Sequence, residues 1–228
     1  MSGFFKSSIG RKVSMALSAI FLMIFLIIHL AINFLSVFSP GLFNEASHFM
    51  GTNPLIQFGL QPVLLVGVLF HFIMGFVLEI KNKKARSTAY VKNNGAANSS
   101  WVSRNMIWSG AAILAFLALH FYDFWAPEIN IKYFKGDMSG LLNPADVNSD
   151  FRYYQELVHK FADPVRVIAY VVAFVFLAMH LLHGFASAFQ SMGVSSIRKK
   201  QIQMGAKIYS IVLPLGFIFI AVYHYFNH

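Results

Sequence analysis

Apolar residues along this chain run in five long blocks, and the polar residues collect in the stretches between them. The blocks are roughly Val13–Phe38, Gln57–Ile80, Arg104–Ala126, Pro164–Phe189 and Ala206–Phe226. A helix rises about 1.5 Å per residue, so about 20 residues cross the roughly 30 Å of bilayer hydrocarbon. Every block is long enough. None alternates apolar with polar positions as a barrel strand does, and only helices or closed barrels satisfy their backbone groups in lipid. The pattern predicts an all-α integral membrane protein, a bundle of five transmembrane helices forming one domain over residues 1–228.

The intervening stretches differ in kind. Lys92–Ser100, KNNGAANSS, reads as a polar connection, and Ser39–Pro54 as a loop containing NEASHFMGTNP. The stretch from about Pro127 to Asp163 reads as a long loop. Within it FRYYQELVHKF, Phe151–Phe161, predicts a short amphipathic helix lying on the membrane surface. Met1–Lys12 is short and basic. The 26-residue apolar run after it exceeds a signal-peptide core, so no cleavable signal peptide is expected.

Charge orients the bundle. Lys6, Arg11, Lys12, Lys81, Lys83, Lys84, Arg86, Lys92, Arg104, Arg198, Lys199, Lys200 and Lys207 fall on one side, 13 of the 18 basic residues, with Glu79 the one acid there. Lys132, Lys135, Arg152, Lys160 and Arg166 share the other side with the remaining eight acids. Basic loops stay in the cytoplasm. The N-terminus is therefore expected to be cytoplasmic and the C-terminus outside, in a multi-pass protein of a bacterial cytoplasmic membrane. The net charge of +9 is spread over short loops, which suits membrane lipid rather than nucleic acid. The chain has no cysteine, which excludes disulfides, iron–sulfur clusters and thiolate-bound metals within it.

Histidine is the residue type that carries candidate chemistry. Four of the nine histidines, His29, His71, His120 and His180, lie well inside the apolar blocks. At about 1.5 Å per residue, His29 and His120 each lie roughly 24 Å from the cytoplasmic edge, and His71 and His180 roughly 13 Å. Four helices thus supply two pairs at two depths. A single histidine in a membrane more often bonds neighbouring helices or serves a proton path. Four with paired depths suit two bis-histidine haems stacked along the membrane normal, since opposed neutral imidazoles are good axial ligands. Gly67 and Gly75 flank His71 at i−4 and i+4, and Gly184 follows His180 at i+4, where missing side chains would leave room for porphyrin.

Five local patterns support a resemblance: IIHLAINFL around His29, NEASHFM around His48, FHFIMGFVLE around His71, ALHFYDFW around His120 and AMHLLHGFASAFQSMG around His180. In order and spacing the chain, from about Arg11 to Ser196, resembles the cytochrome b subunit of succinate dehydrogenases and quinol:fumarate reductases, respiratory complex II, of the single-anchor, two-haem type. The resemblance implies that His29 and His120 hold a distal, outer haem and that His71 and His180 hold a proximal, cytoplasmic one. It favours His180 over His183, because the ligand precedes the glycine of HxxxG by four residues. The implied partners are a flavoprotein subunit with FAD and an iron–sulfur subunit, docking on basic loops around Arg11, Lys12, Arg104 and Lys199. The implied activity is quinone-linked electron transfer, with menaquinone favoured because two haems across the membrane couple the reaction to its potential. Arg11 and Arg104 are candidate partners for haem propionates, and His48, Gln57, Gln61 and Asp123 candidate quinone contacts. Two rival readings stand beside this one: the anchor of a formate dehydrogenase or hydrogenase, and a haem-free transporter using buried histidines.

Overall fold

The computed structural model describes residues 3, 7–84, 105–194 and 198–227. Lys6, Arg86, Lys92, Arg104 and the connection Lys92–Ser100 lie outside the described residues. Among the described residues seven helices follow one another: α1 (Ser8–Phe38), α2 (Pro40–Thr52), α3 (Ile56–Lys84), α4 (Met106–Phe134), α5 (Tyr153–Phe161), α6 (Pro164–Ser191) and α7 (Lys199–Phe226). Five of them, α1, α3, α4, α6 and α7, are long and apolar enough to cross a membrane. Among the described residues the only β pairing is a single bridge between Leu141 and Phe151.

The bundle is apolar outside as well as inside. Leu17, Val66, Ile73, Ile168 and Ile211 are all at least half exposed, an arrangement that water penalises and lipid favours. The interior gathers Ala16, Met23, Leu181, Ala188, Leu213, Phe217 and Ala221 from α1, α6 and α7. At Gly216 a β-carbon would meet Leu30 Cδ2 at 2.9 Å, so α7 needs glycine to approach α1 this closely. Pro214 sits inside α7 and is fully buried, so neighbouring helices enclose the backbone that proline leaves without its hydrogen bond.

Two expectations about the loops are corrected. Ser39–Pro54 is not a loop: most of it is α2. Ser39 takes an extended backbone, as a residue before proline prefers, which ends α1. Its hydroxyl then accepts from Leu42 N, and Pro40 opens α2. Nor does the third spanning helix stop at Ala126. It runs to Phe134 through wide turns at Phe121–Trp125 and Asn130–Phe134. In the first of these, Ala126 N bonds to Phe121 O rather than to the usual i−4 carbonyl. This shift of register lets Pro127, which has no N–H to give, pass without ending the helix.

The predicted helix near Phe151–Phe161 forms as α5, with Leu157 and Phe161 buried against the bundle. Asn44 ties α2 to it, donating to Phe151 O and accepting from Tyr154 N, both at 2.8 Å. Buried charges complete this capped end. Lys132 pairs with Glu128 at 2.6 Å and donates to Gly51 O, while Arg152 bridges Glu128 and Glu156. Gly140, at φ +68°, lies where a side chain would strike Tyr153 and His48.

Partial burial, with the positive charge of Lys132 adding to it, holds the His48 imidazole below its ordinary value of 6.5. The folded chain therefore binds that proton less readily than the unfolded chain. The stabilisation is complete above the unfolded value and is lost as pH falls below it. Thermal midpoints measured from pH 8 to pH 5 are expected to decline more steeply for the parent than for His48→Gln; parallel curves would refute this.

Candidate functional site

The four histidines inside the bundle meet as two pairs. His29 of α1 faces His120 of α4, with ring centres 5.8 Å apart and planes at 84°. His71 of α3 faces His180 of α6, with ring centres 6.3 Å apart and planes at 72°. These are the pairs given by counting residues along the helices. Of the two neighbouring histidines on α6, it is His180 that meets His71.

Each pair has a distinct setting. His29 and His120 lie towards the capped end among aromatic rings. Phe25 stacks on His29 at 5.2 Å, and Phe217 approaches it at 5.7 Å. Phe116 and Phe124 flank His120 at 5.7 and 5.4 Å, with Tyr170 at 6.2 Å. Asn33, one turn along α1, donates to His29 O at 2.8 Å and lies 3.4 Å from its Nδ1. His120 Nδ1 is buried without a hydrogen-bond partner.

His71 and His180 line a cavity of about 380 Å³ between α1, α3, α4 and α6. Met15, Ala19, Met106 and Gly184 form parts of its wall, and Lys12 stands at its basic end. Ser18 Oγ lies 3.1 Å from His71 Nδ1, and Ser109 Oγ lies 3.2 Å from His180 Nδ1. The glycines divide in role. Gly184 borders the cavity, where a β-carbon would meet Met106 at 3.5 Å. A β-carbon on Gly75 would meet Met15 at 3.7 Å. Gly67 instead admits Phe21 of α1, which a β-carbon would approach to 2.9 Å, so it serves helix packing. Gly110, not singled out by spacing, lies against His180, with 3.6 Å from a β-carbon to Cε1.

Donor chemistry can be tested against a metal. Among the described residues no cluster of three or more His, Cys, Asp or Glu is placed to hold an ion. Two imidazoles on opposite sides of one metal, each bonded at about 2 Å, have ring centres roughly 6 Å apart. Both pairs fall close to that spacing.

The four residues proposed as quinone contacts have different partners. His48 stacks on Phe151 at 4.1 Å, with Tyr153 Oη 3.5 Å from its Nδ1. Gln57 donates to Tyr133 of α4, and Gln61 lies one turn further along α3. Asp123 is fully buried, pairing with Arg166 at 2.7 Å and accepting from Tyr170 Oη at 2.9 Å. No hydrogen bond or ring contact joins these four to one another among the described residues. Arg11 lies in the second turn of α1, beside the Lys12 that borders the cavity; Arg104 is outside the described residues.

One polar cluster escaped sequence reasoning. His224 stands near the end of the last helix, where it reads as an interfacial residue. It is 1% exposed, with Nε2 2.8 Å from Ser36 Oγ of α1. Only Ser36 at the matching level of α1 could have signalled it. Comparison of the chain with known protein families, curated proteins and solved structures found no match.

Proposed function

We propose that this chain is the di-haem cytochrome b anchor of a succinate:quinone oxidoreductase in a bacterial cytoplasmic membrane. The observation that carries this reading is the pairing of His29 with His120 and of His71 with His180, at separations that would let both imidazoles of a pair hold one group. Neutral imidazoles and apolar surroundings are the donor set and setting of a b-type haem. When bound, the two haems would supply one-electron redox chemistry.

The chain's own residues then do the holding and shielding. His71 and His180 hold the proximal group, and His29 and His120 the distal one. Phe25, Phe116, Phe124 and Phe217 keep water from the distal pair. Lys12 and Arg11 offer positive charge to carboxylates at the basic end, a role extended to Arg104. The same basic end, with Lys199, is the surface for an iron–sulfur subunit, itself served by a flavoprotein with FAD. Quinone, with menaquinone favoured, exchanges electrons towards the capped end, where His48, Gln57 and Gln61 supply polar contacts. Asp123 is held by Arg166 and Tyr170 and acts there as part of the supporting frame.

Purification of the full chain with its partners tests this directly. The expected result is a b-type α-band in the reduced-minus-oxidised spectrum, two haems per chain, and a co-purifying flavoprotein with covalent FAD. Absence of the band ends the cytochrome reading. A band accompanied by a different partner enzyme ends the succinate assignment alone.

A further inference from the structure

Ser18 and Ser109 are isolated polar residues in apolar helices, and each does two things at once. The Ser18 hydroxyl donates to Met15 O at 2.8 Å, and the Ser109 hydroxyl donates to Met106 O at 2.9 Å. A hydroxyl has one hydrogen, and in both residues the carbonyl three residues back is the nearer acceptor for it. With the hydrogen placed there, each oxygen faces its imidazole as an acceptor, at 3.1 and 3.2 Å. The tautomer that fits this arrangement has the proton on Nδ1 of His71 and of His180. This leaves the Nε2 lone pair of each ring free.

Resting on the two-haem reading, we infer that Ser18 and Ser109 are positioning residues that fix the tautomer and ring orientation of the proximal ligands. The assignment follows from geometry on two separate helices that reach the same result. An imidazole binds a metal through a nitrogen without a proton, and an acceptor at the opposite nitrogen both orients the ring and strengthens it as a donor. The distal pair is built differently. The amide nitrogen of Asn33 donates to His29 O at 2.8 Å and is 3.4 Å from His29 Nδ1, and His120 Nδ1 has no hydrogen-bond partner. The serine effect should therefore be confined to one haem.

Redox titration of the purified, haem-loaded chain reads this out. In Ser18→Ala, Ser109→Ala and the double variant, one of two titration waves is expected to move to higher potential, because a less basic imidazole stabilises ferric iron less. The other wave should stay in place. Haem retention at the moved site should weaken by about 10–100-fold. Ser18→Thr and Ser109→Thr keep the hydroxyl and should restore the parent wave. Two unmoved waves in the double variant, at full haem content, would overturn the inference while leaving the two-haem reading intact. A shift that threonine fails to reverse would also overturn it, since packing alone would then explain the shift. If the double variant does not assemble, each single variant reads the same wave. A parent chain without haem would remove the underlying reading instead.

Discussion

Glu128→Gln is expected to destabilise the folded chain by about 3–5 kcal/mol, the cost of breaking a buried ion pair by removing one partner. Glu128 is the shared anion of the capped end. Lys132 and Arg152 both pair with it, and their side chains are only 2% and 8% exposed. Glutamine keeps the size of the side chain and removes the charge. Lys132 would be left with the Gly51 carbonyl, and Arg152 with the Glu156 carboxylate and the Tyr153 ring. Both cations are buried, so neither reaches water without movement of the capped end. Unfolding in detergent measures the loss, and proteolysis within residues 135–152 should accelerate in parallel. Glu79→Gln is the comparison. Its partner Lys83 is 69% exposed, so that pair should be worth about 0–1 kcal/mol. Similar losses in the two variants would contradict this account of the cap.

On the proposed two-haem function, single-histidine variants are expected to remove haem in units rather than by degrees. His29→Ala and His120→Ala should each delete the same haem, and His71→Ala and His180→Ala should each delete the other. Haem content then falls by about half in every single variant, because one axial imidazole in a slot built for two leaves the group weakly held. A double variant within a pair should be no worse than either single one, since both residues act on one group. A double variant across pairs, such as His29→Ala with His71→Ala, should lose all haem. His183→Ala should keep both. If His29→Ala and His71→Ala deleted the same haem, the pairing would be wrong.

The histidine pairing was legible in the sequence for a simple reason. Spanning helices are long and rise evenly, so residue number converts directly into depth. The same regularity hid the serines: Ser18 and Ser109 look like small packing residues until their neighbours across the helix interface are known. Helix α2 was missed because NEASHFMGTNP is polar and short. Its start is nevertheless written in Ser39–Pro40, an N-cap followed by a proline in the first turn. Pro127 misled in the opposite direction. Proline ordinarily ends a helix, but the wide turn at Phe121–Trp125 had already displaced the hydrogen bonds around it. The burial of Lys132 and Arg152 could not be read at all, because it depends on three segments distant in sequence closing over them.

The sharing of helices between the two histidine pairs bears on how the protein is made. Helix α1 carries His29 for one pair and Ser18 for the other, while α4 carries His120 for one and Ser109 for the other. During synthesis, the His29–His120 pair becomes available once α4 has emerged. The His71–His180 pair must wait for α6. The His29–His120 pair is thus complete two helices before the His71–His180 pair, and a nascent chain halted after α4 would already contain both serines with only one of the rings beside them.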